Sequence, residues 1–158
     1  MVVTGGNTPI EGLPGETTCG DLDPSVVLKL AHDTRWGPEE ASRILTCESG
    51  LRGLVGRAVS LEELLGSTDD ELQLARDLLR HCVLRACGAG IAAMGGLDAI
   101  VYSGRYAASG TSLHTWLSQR LARVTRSEIP HLIHARSLFQ HLDDIVRVMR
   151  LEAGGRRR

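Results

Sequence analysis

A single lysine, Lys29, and five aromatic residues, Trp36, Tyr102, Tyr106, Trp116 and Phe139, are all that 158 residues hold of those types. So few rings leave no stacking platform for bases, and Lys+Arg 18 against Asp+Glu 19 leaves no positive field to hold a phosphate backbone, so nucleic-acid binding is excluded. No apolar run approaches the ~20 residues needed to cross a bilayer. The start, Met1-Val2-Val3-Thr4-Gly5-Gly6, has neither the basic cluster nor the apolar stretch of a secretory signal. A cytoplasmic protein without membrane contact is expected. Cys-x-x-Cys pairs are missing too: Cys19, Cys47, Cys82 and Cys87 are scattered, which predicts reduced thiols in place of a zinc site or a disulfide framework. His131 and His134 stand at helical i, i+3 spacing near Asp143 and Asp144 and are the one candidate metal pair. They are read as solvated helix histidines, and no metal site is predicted.

The length fits one globular domain. Residues 1–20 are rich in glycine, with Pro9 and Pro14, and show no apolar period, so a loop-rich start is expected. Asp23-Pro24 then reads as an N-cap with proline in the first turn, opening an amphipathic helix that ends near Gly37. Gly37-Pro38-Glu39-Glu40 starts another, to Thr46 or Cys47, and Ser60-Leu61-Glu62-Glu63 is a capping box for a short one. The longest periodic element runs from Thr68 to about Met94, with Leu72, Ala75, Leu79, Cys82, Val83, Ala86 and Gly90 as a continuous buried stripe, thin enough at Ala86 and Gly90 for another backbone to approach. Residues 97–103 read as a buried central strand, followed by a corner at Ser103-Gly104. Thr111-Ser112 reads as the cap of a helix to Val124 that buries Leu113, Trp116, Leu117, Leu121 and Val124. Beyond Pro130, a helix over 131–142, a strand over 145–151 and a basic tail over 152–158 are expected.

Three segments carry a family likeness. Thr8-Pro9-Ile10-Glu11-Gly12-Leu13 followed by Thr17-Thr18-Cys19-Gly20-Asp21-Leu22-Asp23-Pro24 resembles the T-P-L-E-G-L and G-T-R-[SC]-G-D-[IL]-D-P of acetate and propionate kinases. Glu48-Ser49-Gly50-Leu51-Arg52-Gly53-Leu54-Val55-Gly56 resembles their K/E-S-G-L-L-G-[LV]-S-G, and Gly95-Gly96-Leu97-Asp98-Ala99-Ile100-Val101-Tyr102-Ser103-Gly104 their G-G-[LV]-D-[AG]-[LI]-V-F-T-G. The three stand in family order over about residues 7–110. The resemblance implies an α/β, helix-rich fold: an incomplete RNase H-like second domain of an acetate kinase, of the sugar kinase and actin superfamily, over residues 1–151. It implies the family reaction, ATP and acetate to ADP and acetyl phosphate, with ATP or ADP and magnesium as its cofactors, and a homodimer built through this domain. The family's first domain and its upstream phosphate loop have no counterpart in the sequence.

The likeness also marks departures. The arginine of G-T-R falls on Thr18, a neutral hydroxyl where transfer between two anions needs a fixed cation. The nucleotide loop, G-G-I-G-E-N-S in the family, corresponds to Gly104, Arg105, Tyr106, Ala107, Ala108, Ser109 and Gly110 after Ser103. Side chains there replace glycines whose bare backbone would lie against the nucleotide. The family's magnesium-holding glutamate falls either near Glu152 or at Asp143-Asp144. Asp21 and Asp23 read as a carboxylate pair or, more simply, as helix caps. Arg105 reads as a replacement cation or a solvated loop residue, and Gly50, Gly53 and Gly56 as a phosphate cradle or a turn. The expectation is a degenerate acetate kinase homologue, inactive alone and serving as a dimerisation or interaction module or a remnant. The alternative is one half of a split kinase completed by a separate N-terminal-domain chain.

Overall fold

The structure is a computed structural model and describes residues 10–104, 106–125 and 129–134. The chain divides into two compact units, Met1–Gly90 and Ile91–Arg158. In the first unit the segment before Pro24 carries no regular secondary structure over residues 10–23. Helix α1 (Pro24–Thr34) then starts where its cap dictates: the Asp23 carboxylate accepts from the Ser25 N–H at 2.7 Å, and Pro24 occupies the first turn. It stops earlier than Gly37 because Arg35 turns into the left-handed region at φ 58°. Helix α2 (Pro38–Arg43) continues without a break into a π-helical turn, Ile44–Glu48, whose wider winding carries the chain beyond Cys47. Helix α3 (Gly50–Val55) ends on Gly56 at φ 78°, and α4 (Leu61–Gly66) is capped by the Ser60 hydroxyl, which accepts from the Glu63 N–H at 3.1 Å.

The cap of the longest element is Asp69, in place of Thr68: its carboxylate accepts from the Glu71 N–H at 3.0 Å and opens a 3-10 turn, Asp70–Leu72, that leads into α5 (Gln73–Met94). The expected continuous stripe is buried only through Leu72, Ala75, Leu79 and Val83. Cys82 is half-buried and Ala86 is exposed, and a Cβ placed on Gly90 would meet nothing within 4 Å, so no described backbone uses the thin part of the stripe. The core of this unit joins those residues to Leu51, Val59, Leu64 and Leu65. Arg76 is buried with them and donates to the Ser67 carbonyl at the end of α4, which satisfies a helix-end acceptor that burial would otherwise strand.

The second unit is built on two parallel strands, β1 (Ile100–Ser103) and β2 (His131–His134), with α6 (Gly110–Thr125) between them in the chain. Ile100 pairs with His131 and Ser103 with His134, the order that a strand–helix–strand crossover requires. This corrects two expectations. Residues 131–134 are a strand and not the start of a helix: Pro130 disfavours helical geometry at Ile129, its carbonyl accepts from the Ile100 N–H at 3.0 Å, and the ladder begins there. β1 begins at Ile100 and alternates between half-buried and exposed residues, with Val101 50% exposed, so it is not a buried central strand. The helix expected beyond residue 134, the strand at 145–151, the tail at 152–158 and Phe139 lie outside the described residues.

Helix α6 starts at Gly110, before Thr111-Ser112, directly from a 3-10 turn, Ala107–Ser109. Its buried face is Gly110, His114, Leu117 and Leu121; Val124 is 67% exposed and Trp116 half-buried, with the Arg120 guanidinium 5.0 Å over the indole. His114 takes a position that the apolar pattern alone would not give to a polar side chain. Gly110 is required by packing, since a Cβ there would lie 2.5 Å from Tyr102 Cγ. Alanine is intrinsically the better helix former by about 1 kcal/mol, yet Gly110→Ala is expected to destabilise by about 1–3 kcal/mol of overpacking. Urea unfolding checks this; a raised midpoint would mean that the Tyr102 ring yields.

Candidate functional site

The first two motifs meet as one structure. The segment from Gly12 to Asp21 closes on itself: the Gly12 N–H donates to Asp21 Oδ1 at 2.7 Å, the Asp21 N–H to the Gly12 carbonyl at 3.0 Å, and the Gly15 N–H to the Thr18 carbonyl at 3.0 Å. Its outer edge is stitched to the π-helical turn and to α3. The Cys19 N–H donates to Leu45 and the Thr17 hydroxyl to Thr46, while Ser49, Leu51 and Arg52 N–H groups donate to the carbonyls of Thr17, Gly15 and Glu16, all at 2.9–3.0 Å. Helix N-termini expose N–H groups that need acceptors, and here the loop carbonyls supply them. The Glu16 carboxylate adds a longer reach, accepting from the Leu61 N–H at 3.1 Å at the start of α4.

This geometry assigns the candidate residues. Gly50 is not part of a phosphate cradle: the N–H groups of Leu51, Arg52 and Gly53 are spent on the carbonyls of Gly15, Glu16 and Ser49. Gly50 is needed because its φ is 61° and a Cβ would sit 2.3 Å from the Gly15 carbonyl oxygen and 2.5 Å from that of Thr18. Thr18 is half-buried in the same seam, and its hydroxyl lies where a Cβ on Gly15 would be, at 2.4 Å. Asp21 closes the loop through Gly12, and Asp23 caps α1; the Ser25 hydrogen bonds hold the Asp23 carboxyl below the usual range. Both carboxylates therefore have structural partners. A cavity of about 710 Å³ opens alongside, and among its described lining residues are Glu11, Asp21 and Asp23 but no cation. Burial pushes the Cys19 thiol up, away from thiolate chemistry.

The third motif belongs to the second unit. After β1 the chain turns at Gly104, φ 81°, and the Gly104 and Tyr106 carbonyls accept from Ala107 and Ser109 N–H groups at 3.1 Å. Ala107 and Ser109 are buried within the unit, Ala108 is exposed and Tyr106 half-buried. Arg105 lies outside the described residues. The candidate metal pair, expected as solvated helix histidines, is not helical: His131 and His134 sit in a strand of period two, and among the described residues no group of three metal-ligating side chains converges.

What sequence reasoning missed is the surrounding of Tyr102. The side chain expected to be plain core lies with its hydroxyl 3.2 Å from Nδ1 of His114, and His131 stacks on His114 with ring centroids 3.9 Å apart. The only sequence signal was a histidine at an apolar position of α6.

The acetokinase family profile matches residues 2–111, and the chain belongs to that family. It is similar to the acetate kinase of Helicobacter acinonychis, 38% identical over 101 residues, and to that of Rhodopseudomonas palustris, 38% over 104 residues; these matches take in 63% and 66% of the chain but 25% and 26% of those proteins. Among solved structures, Porphyromonas gingivalis acetate kinase superposes with a TM-score of 0.58 at 26% identity, covering 70% of this chain and 30% of that one. Entamoeba histolytica acetate kinase gives 0.65 at 24% identity, over 75% and 32%, a likeness of fold. The chain thus spans about a quarter of the length of the curated relatives it matches.

Two glycines test the seam. Gly56→Ala meets open space and should cost only the left-handed backbone penalty, about 1–2 kcal/mol. Gly50→Ala adds a collision with main-chain oxygens and should cost clearly more, by urea unfolding; equal losses would mean that the seam is loose.

Proposed function

We propose that this chain is a degenerate acetokinase segment that keeps the family scaffold, does not phosphorylate acetate on its own, and acts by associating with itself or with another chain. The observation that carries the reading is Thr18. It stands where the resembled motif has its arginine, its backbone is held in the seam, and a hydroxyl cannot neutralise charge developing between a carboxylate and a phosphoryl group. Two further features support it. The adjacent cavity is mostly apolar, and the charged residues among its described lining are Glu11, Asp21 and Asp23, which repel phosphate oxygens and offer them no cation. The stretch Ser103, Gly104, Arg105, Tyr106, Ala107, Ala108 and Ser109 is the degenerate counterpart of the nucleotide loop; its buried Ala107 and Ser109 belong to packing.

The purified chain should form no acetyl phosphate from ATP, magnesium and acetate in a hydroxamate assay. Product that disappears on mutating Asp21 or Ser103 of this chain would contradict the reading.

Association is the second part. Along α5, Leu74 is 70% exposed and Leu78 follows one turn later, also exposed. Apolar side chains at this spacing form a face for another helix. A homodimer in the tens-of-micromolar range is expected by sedimentation, weakened by Leu78→Arg; a monomer at that concentration would count against it.

Family membership over residues 2–111 is compatible with one other reading, the C-terminal half of a split acetate or propionate kinase. Mixing with an isolated acetate kinase N-terminal domain distinguishes them: activity that appears only in the mixture supports the split enzyme. A cytoplasmic location accompanies either reading, and among the described residues no helix is long and apolar enough to cross a membrane.

A further inference from the structure

The second unit contains a cluster of ionisable rings with no part in the family motifs' chemistry. His114, on α6, is only 7% exposed. Its Nδ1 lies 3.2 Å from the Tyr102 hydroxyl, a pair in which the tautomer decides which atom donates, and the ring also hydrogen-bonds the Ile129 main chain. The exposed His131 of β2 stacks on it at a centroid distance of 3.9 Å and an interplanar angle of 26°, and Tyr102 of β1 meets both imidazoles edge-on, at 5.8 and 6.2 Å. Three elements are thus joined through one stack of rings.

We propose that the Tyr102–His114–His131 stack is a proton-operated latch that holds β2 on β1 and α6 at neutral pH and releases it on acidification. Protonating His114 beside a charged His131 would place like charges on rings in van der Waals contact and would leave both His114 nitrogens as donors, so the Tyr102 hydroxyl could only accept from Nδ1. Nothing described nearby compensates. β1 offers only Tyr102, the 3-10 turn no charged group, α6 the cations Arg120 and Arg123, and β2 itself His131 and His134; Asp98, before β1, is the one described acid of the unit. The cavity of about 470 Å³ beside the two rings is lined by Thr115, Ser118, Gln119 and Pro130, with no carboxylate among the described residues.

The sign follows. Burial, and then the neighbouring His131 charge, depress the His114 pKa, opposed by the Ile129 hydrogen bond. The stabilisation from a neutral His114 is therefore complete above the unfolded value, about 6.5, and is lost as pH falls from there through the lower folded value. Hydrogen exchange of the β1 and β2 amides on the full chain, from pH 7.5 to 5, reads it after correction for the intrinsic rate. The opening equilibrium should rise by up to about tenfold per pH unit while one extra proton is taken up on opening. His131→Phe keeps a stacked ring without the charge and should move the loosening to lower pH. Flat protection in the natural chain, or the same pH response in His131→Phe, would overturn the proposal. If that variant does not fold, imidazole NMR titration of the natural chain decides: His114 titrating below His131 upholds the latch, and independent titration of both near the ordinary value overturns it.

Discussion

The main-chain seam between the Gly12–Asp21 loop and the stretch from Leu45 to Arg52 is the constraint on which the first unit depends. Three short helical pieces, α2, the π-helical turn and α3, are each too brief to be stable alone. The π-helical turn and the start of α3 find partners in one loop, and Glu16 carries the connection on to α4. The apolar cluster around Leu51, Leu64 and Leu72 then closes over elements whose directions the hydrogen bonds have set. Removing a single side chain would leave most of this in place, because the bonds run between backbone atoms. A Cβ at Gly50 would not.

That architecture allows the family motifs to persist under the proposed loss of their chemistry. Glycines of the first two motifs, Gly20 and Gly50, sit at close backbone approaches, and Asp21 closes the loop. These demands come from folding, whatever the site binds. The Thr18 carbonyl accepts from the Gly15 N–H within the loop, a main-chain bond that does not depend on the side chain at that position. Scaffold and chemistry are thus separable in this segment, and the proposed loss of the second leaves the first intact.

How much was legible in the sequence follows from the range of the interactions. Asp23-Pro24, Gly37-Pro38 and Ser60 with Glu63 were readable because a cap acts within one turn. Thr68 was mistaken for Asp69 because two capping residues stand side by side, and geometry alone selects. His131-Leu132-Ile133-His134 fits a helical or an extended period over four residues; β1, thirty-one residues earlier in register, decides it. The seam left few marks in side chains, so Gly50 read as a turn, ahead of a phosphate loop, with no sign of what it packs against. Likewise, His114 could not be recognised as buried without its partners Tyr102 and His131, which come from two different strands.

The central claim is that the acetokinase scaffold is retained here without a working phosphate site. Calorimetric titration of the purified chain with magnesium-ADP tests it most directly, since binding requires neither acetate nor turnover. The account predicts no saturable heat at micromolar nucleotide and, because a ligand that binds only the folded chain must stabilise it, no rise in melting temperature. Saturable micromolar binding, with a matching thermal shift that is lost on altering Gly104 or Ser103, would contradict it.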